Sequence, residues 1–537
     1  MERDNRGPRW VSPASVSLIL LFSAATTAAV FAVRLGSLFQ PAGRYVETTG
    51  GEAVSIYNVV KLQHGLPLYQ DPRDPPYYAT TLYNAGFYGF YALATWPFRV
   101  ENGGLVLALR LVTLALFTFG LVAIVGYALG NWNRRQPGRH PALETLAMIA
   151  MAGITFLGPL PGWWPITVRP DMGAAVLAGL GLLLVLSQGV RRPGLAALLA
   201  GICLAAAWSF KQSCVLIAVG LVLAALIQRR YVAAALLVIP PALAVVGCIL
   251  GLGPDYLANV AWATSLAPLT WRSLERMLFV FTAKGLLPLA VSVAGVVSLR
   301  QAAWVRPDER LVLRCCWITT LLGGLIACSR SGSEANYFFE LWMVVGLLAM
   351  IEVKLLFDGL AVARGGSLLT WTATTIGLLF CASATLDVAR LAGLEHYCLG
   401  RLRLSLDHES IAELQRVGKL IRGAEGEVFC QPALCGLAFD PPLPAPNFGD
   451  YDYFHKPAAA RGLLRGRGLE GLLADHFFPL VVLDVHNERM LATVSGAGYV
   501  RQPGWKHIVV LEAPPGQGQP QAGRERQLAR GLSLRAN

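Results

Sequence analysis

The chain has 537 residues, 55% of them apolar and only 15% charged, against roughly 25% charged residues in a soluble domain. Its net charge is +12. The basic residues stand in short clusters between long apolar runs, so membrane topology rather than nucleic acid accounts for them. Composition therefore excludes an ordinary soluble protein and describes a polytopic membrane protein.

Arg3, Arg6 and Arg9 precede an apolar run that is longer than the h-region of a cleaved signal peptide. An uncleaved first span is expected, with the N-terminus in the cytoplasm and the next segment outside. That segment, an outer loop over about 36–109, is the longest polar interruption before the C-terminal part. Its stretch from Gly43 to Trp96 carries Glu47, Glu52, Asp71 and Asp74, and a dense series of tyrosines from Tyr45 to Tyr91. The aromatic content argues for a folded loop lying at the membrane–water boundary. Its part from Thr80 to Phe98, interrupted by Pro97, reads as one or two surface helices rather than a span. Asp71 and Asp74, among prolines, read as turn residues.

Apolar length and flanking charge predict an all-α bundle of about eleven spans, at roughly 12–34, 110–131, 143–160, 171–188, 194–210, 214–228, 232–252, 283–299, 311–329, 337–353 and 367–388. Basic clusters fall in the intervening inner loops: Arg134, Arg135 and Arg139, then Arg191 and Arg192, Arg229 and Arg230, Arg300, Arg306 and Arg310, and Arg364. The membrane domain extends over about 1–388, and residues of about 389–513 form a small extracytoplasmic α/β domain. Ile411, Leu414, Val417, Leu420 and Ile421 have helical spacing there, and Ser410 with Glu413 makes a capping-box pattern. Val428–Phe429, Phe478 to Leu483 and His507 to Leu511 read as short strands. Cys430 and Cys435 are close enough in sequence for a disulfide outside the cytosol. Residues of about 514–537 are expected to be a disordered tail.

Charges at span ends gather on one side. Arg110, Arg169, Asp171, Lys211, Gln212, Lys284, Arg330, Glu334, Asn336, Tyr337 and Glu340 all fall at the outer face of this topology. Long cationic side chains snorkel to such a boundary in any membrane protein, whereas intramembrane acids mark function. Sugar transfer from a polyprenyl phosphate fits: a carboxylate takes the acceptor's proton, and cations or a metal stabilise the departing phosphate. Asp171 reads equally as a second base, a metal ligand, a donor-orienting group or a helix N-terminal charge worth up to ~1 kcal/mol. A flippase or transporter would instead carry polar groups near the midplane and repeated halves. A non-catalytic membrane scaffold is a further alternative.

The segment GGEAVSIYNVVKLQHGLPLYQDP resembles the first outer loop of the GT-C membrane glycosyltransferases. The nearest branch is that of bacterial transferases related to protein O-mannosyltransferases, lipid A aminoarabinose transferase and the Rgt-like core-sugar transferases. Glu52, Tyr57, Gly65, Tyr69 and Pro75–Tyr78 match the pattern of that loop. Arg169-Pro170-Asp171, Phe210-Lys211-Gln212-Ser213 and Asn336-Tyr337 with Glu340 resemble later motifs of the branch. The resemblance implies a hexose-type donor on a polyprenyl phosphate, an inverting mechanism, and a lipid, glycan or protein acceptor at the outer face of the bacterial plasma membrane. It also implies a catalytic carboxylate in the first outer loop, and some relatives use a divalent metal. Here Gly51 stands where the relatives' Asp-Glu pair has Asp. Glu52 is then the expected base, with Glu47 and Asp171 beside it. Arg169 and Lys211 are expected to hold the lipid phosphate, and Gln212, Tyr57, Tyr69, Glu334, Asn336, Tyr337 and Glu340 to line the substrate site. No metal-ligand set is assigned, Asp171 being the one candidate ligand.

Overall fold

The structure is a computed structural model. It describes residues 13–39, 48–97 except 50, 76, 77 and 79, 104–133, 141–188, 192–362 except 332, 408–430 except 425 and 426, and 455–515 except 486 and 507. Twelve helices precede residue 363: α1 Pro13–Phe39, α2 Glu52–Gln63, α3 Ala85–Thr95, α4 Gly104–Tyr127, α5 Pro141–Leu157, α6 Pro170–Gln188, α7 Pro193–Phe210, α8 Leu216–Ile227, α9 Tyr231–Leu257, α10 Trp271–Ser298, α11 Pro307–Cys328 and α12 Phe339–Val362. Several open on proline, whose fixed φ suits the first helical position and whose missing N–H is no loss there.

Ten of the expected spans coincide with a helix, and the one at 367–388 lies outside the described residues. Among the described residues, six segments are both long and apolar enough to cross a bilayer: 17–36, 104–132, 170–187, 193–210, 231–263 and 307–328. The two halves of α10, bent by 79° around residue 287, make a seventh if taken as one span. The expected count of eleven is not confirmed on these terms. Helix α8 has only 12 residues, about 18 Å of rise, and α12 carries Glu340, Glu352 and Lys354. The chain is nonetheless a multi-pass membrane protein. Helix α9 turns Val232, Ile239, Leu243, Val246 and Leu250 outward, an apolar surface that requires lipid.

The polar content of α12 is explained by its place. Almost every side chain from Phe339 to Ile351 is buried, with α5, α6, α10 and α11 packed around it. Lys354 makes a buried ion pair with Glu144 of α5, and its Nζ lies 5.4 Å from the centroid of the Trp304 ring. Helices α2 and α3 pack on one another at the loop-bearing end of the bundle. Phe87, Tyr88 and Tyr91 of α3 point inward, so the expected surface element is one helix of 11 residues.

The C-terminal part contains α13 His408–Gly423, α14 Lys456–Ala460, α15 Gly468–Ala474 and α16 Glu488–Gly496, with strands β1 Val428–Cys430, β2 Leu480–Asp484, β3 Val500–Arg501 and β4 Ile508–Glu512. The sheet order is β1-β2-β4-β3, β1 running parallel to β2 and the other pairs antiparallel. Alternate residues of β2 and β4 enter two small cores, Val481, Leu483, Val509 and Leu511 on one face and Leu480, Val482, Ile508 and Val510 on the other. The expected strands are all present. Helix α13 starts at His408 rather than after Ser410, and Glu413 accepts from the Lys506 amide at 2.7 Å. Cys430 is disulfide-bonded, and Cys435 lies outside the described residues.

This unit is docked on the first long loop. Arg465 pairs with Asp74 at 2.7 Å and stands 3.6 Å from Asp71. Its amide donates to the Arg73 carbonyl at 2.9 Å. The Tyr78 hydroxyl donates to the Arg465 carbonyl at 2.7 Å and accepts from the Gly468 amide at 3.1 Å. Asp71 also closes its own turn, accepting from the Arg73 amide and guanidinium at 3.0 and 2.8 Å.

Candidate active site

Three helix ends meet beneath the first long loop. Arg169 precedes a proline and cannot comfortably be helical, so α6 opens at Pro170 with Asp171 in its first turn. Lys211 ends α7 in an extended conformation. A 3₁₀ turn at Ala335–Phe338 leads into α12. Gly173 lets these ends approach, because a Cβ there would stand 2.7 Å from the Phe210 ring. Phe210 therefore packs on α6, and Lys211 is delivered beside Asp171.

Asp171 is the hub. Its Oδ1 accepts from Lys211 Nζ and from Asn336 Nδ2, the latter at 2.7 Å, and its Oδ2 lies 3.3 Å from Arg169 Nε. Arg169 donates through Nη1 to Glu334 at 2.8 Å and through Nη2 to the Tyr83 hydroxyl at 2.8 Å. Its guanidinium carbon lies 4.6 Å from the Trp164 ring centroid, a stacking that holds the planar group in place. Lys211 Nζ lies 4.4 Å from the Tyr337 ring. Gln212 donates to the Leu82 carbonyl at 2.8 Å. Three buried acceptors, Asp171 Oδ2, Asn336 Oδ1 and Gln212 Oε1, accept no hydrogen bond. Burial pushes the Tyr83 phenol up to about 12 despite the Arg169 charge beside it, so it stays protonated.

Arg169, Asp171, Lys211, Gln212, Glu334, Asn336 and Tyr337 thus stand together. The expected site members Glu52, Tyr57, Tyr69 and Glu340 are placed differently. Glu52 is fully buried. Its Oε1 accepts from Arg110 Nε at 2.9 Å and the Val168 amide at 3.0 Å. Its Oε2 accepts from Arg110 Nη2 at 2.7 Å and from the amide and hydroxyl of Thr48, both at 2.8 Å. Burial alone would raise its pKa, but the Arg110 charge and the fixed donors outweigh it and hold the carboxyl below its ordinary value. A carboxylate with five donors and no exposed surface is a tie between the loop and α4, poorly placed to take a substrate proton. Glu340 accepts from the Ile217 amide at 2.9 Å and anchors the start of α8. Tyr69 donates to the Tyr83 carbonyl at 2.7 Å and stacks edge-on against Tyr256, fixing the loop. Tyr57 is half-buried beside Lys61 on α2. Glu47 lies outside the described residues.

Tyr83 and Trp164 were not singled out from the sequence, because one sits among many tyrosines and the other in an apolar run. Gly51 is the N-terminal cap of α2 at φ 83, and among the described residues a Cβ there would meet Arg169, 3.9 Å from Nη1. The described residues do not fit a divalent metal: no group of three His, Cys, Asp or Glu side chains converges among them, and Asp171 faces two cations that would repel one.

No protein-family profile and no curated protein matches the sequence. Among solved structures, ArnT from Cupriavidus metallidurans bound to undecaprenyl phosphate matches with a TM-score of 0.53 and 14% identity, over 92% of this chain and 99% of that one. The archaeal oligosaccharyltransferase AglB from Archaeoglobus fulgidus, in complex with an inhibitory peptide and a dolichol-phosphate, matches with a TM-score of 0.50 and 12% identity, over 93% of this chain and 74% of that one. Both are GT-C proteins. The chain has the GT-C fold. The GT-C architecture agrees with the resemblance carried by the first outer loop, and it extends through the C-terminal part as well.

Proposed function

We propose that the protein is an inverting membrane glycosyltransferase that moves a hexose-type sugar from a polyprenyl-phosphate donor to a lipid, glycan or protein acceptor. The observation that carries this reading is the meeting of Arg169 and Lys211 around Asp171, under the first long loop of a GT-C bundle. The two cations would hold the donor phosphate and stabilise the charge it gains as the bond to the sugar breaks. Asp171, itself held by Asn336, orients Lys211, while Trp164 and Tyr83 orient Arg169 before the donor arrives. Undecaprenyl phosphate in ArnT and dolichol-phosphate in AglB support a lipid phosphate as the ligand class.

Positive clusters in the inner loops support a cytoplasmic N-terminus and a site facing outward across the bacterial inner membrane. The disulfide at Cys430 supports an oxidising compartment for the C-terminal domain. The bend of α10 is a feature that a lipid-linked saccharide flippase would share, but the charged cluster lies at the loop-bearing end of the helices rather than at midplane.

The test is sugar release by the purified protein in lipid, supplied with radiolabelled polyprenyl-phosphate sugars and candidate acceptors. Wild-type turnover of one donor, lost in Lys211→Ala and Arg169→Ala, is expected. Movement of intact donor across vesicles without sugar release would instead establish a flippase.

A further inference from the structure

We propose that Glu334 is the proton acceptor of this reaction, held masked by Arg169 until the donor phosphate draws the guanidinium away. The inference rests on the transferase reading above and names the residue that completes it. Among the described residues, the other carboxylates near the cluster are committed. Glu52 is fully buried under five donors, Asp171 is held by Lys211 and Asn336 with Arg169 close by, and Glu340 anchors α8. Glu334 differs from all three. Its side chain is 41% exposed, and Arg169 Nη1 is its sole partner among the described residues, through Oε2. Its other oxygen is open to a hydroxyl.

The residues beside it connect the exposed carboxylate to the buried cations. The missing side chain at Gly51 leaves space next to Arg169 Nη1, the same nitrogen that carries Glu334. Glu334 caps one short turn and Asn336 lies within it, one reaching Arg169 and the other Asp171. The turn thus spans the line from the open side to the buried cations.

The chemistry balances. The acceptor oxygen forms a bond to C1 of the sugar as the C1–O bond to phosphate breaks. The phosphate leaves with the electron pair, against Arg169 and Lys211. The acceptor's proton passes to Glu334, which returns it to water at its exposed edge. Arg169 cannot make full use of its fork on both a carboxylate and an incoming phosphate. Donor binding therefore competes with the Glu334 pair and frees the carboxylate only when there is a sugar to transfer.

The decisive comparison uses full-length protein in lipid, with the donor that wild type consumes. Two readouts run side by side: sugar transfer, and binding of undecaprenyl phosphate alone. Glu334→Gln should cut transfer at least ~100-fold, the usual scale for losing a general base, with lipid-phosphate binding equal to or tighter than wild type. Glu334→Asp should recover part of the transfer. Transfer by Glu334→Gln within about threefold of wild type, well short of the loss expected of a missing base, would overturn the assignment. So would a matching loss of binding and transfer, which marks a structural residue, or an inactive Glu47→Gln beside an active Glu334→Gln. Absence of transfer by wild type with every donor and acceptor would overturn the transferase reading itself, and this assignment with it.

Discussion

Glu52 and Arg110, 58 positions apart, form a two-point ion pair with neither side chain in contact with water. The pair binds the start of α2 to the first turns of α4. It also fixes Val168, one residue before Arg169, because the Val168 amide donates to the same carboxylate. The loop, the second long apolar helix and the segment that carries Arg169 are thereby held as one unit.

Breaking one side of this pair should be costly. Glu52→Gln leaves a buried guanidinium without its counter-charge, a change that typically costs about 3–5 kcal/mol. Lower thermal stability in detergent is expected. Replacing both partners, as in Glu52→Leu with Arg110→Met, should recover much of the loss, since apolar pairs of similar volume often substitute for buried ions. A stable Glu52→Gln protein that merely lacks turnover would instead favour a direct chemical role for Glu52.

Gly51 should resist substitution. At φ 83 it occupies the left-handed region, where an L side chain costs roughly 1–2 kcal/mol. Gly51→Ala is expected to lower the unfolding temperature measurably, with an added effect on transfer because the new methyl faces Arg169. An unchanged melting curve would mean that the α2 cap relaxes into another conformation.

Tyr83 should act on binding more than on chemistry. Its hydroxyl accepts from Arg169 Nη2, and losing one such charge-assisted bond costs about 1.5–3 kcal/mol. Tyr83→Phe is expected to weaken undecaprenyl phosphate binding at least tenfold, measured by titration in detergent, and to leave the fold intact. Unchanged affinity would show that Trp164 alone suffices to orient the guanidinium.

Acid should loosen the C-terminal unit near α14 and α15. His455 is buried and accepts from the Leu469 amide at 3.2 Å, and burial pushes its pKa down from 6.5 to about 4, with Glu470 opposing. Its folded value lies below the unfolded one, so its contribution is complete above pH 6.5 and is lost as pH falls toward 4. Protection factors of residues 455–475 in the full-length protein, taken from hydrogen exchange corrected for its intrinsic slowing in acid, should fall between pH 6.5 and 4. His455→Gln should flatten that dependence.

The site was legible where it depended on one-dimensional cues. Arg169, Asp171, Lys211, Glu334 and Asn336 stand at the ends of long apolar runs, and a membrane sorts such ends to its two surfaces. Burial and pairing were not legible. Nothing local to GGEAVSIY marks Glu52 as a tie, because its partners at Arg110 and Val168 come from segments placed beside it only by packing. Glu340, so close in sequence to Asn336, points instead to the Ile217 amide. The eleven-span count took apolar length as sufficient, but α8 is short, α10 is bent, and α12 is polar enough to need neighbours.

That last property has a consequence for how the protein is made. Taking an unpaired lysine or acid out of water costs several kcal/mol, near the end of a span as well as at its centre. Helix α12 brings Lys354 with it, and Glu144, its counter-ion, lies on α5, which the ribosome releases some 200 residues earlier. The later helix thus packs at lower cost onto an earlier one that already presents the carboxylate, and this charge pair couples the docking of α12 to the presence of α5.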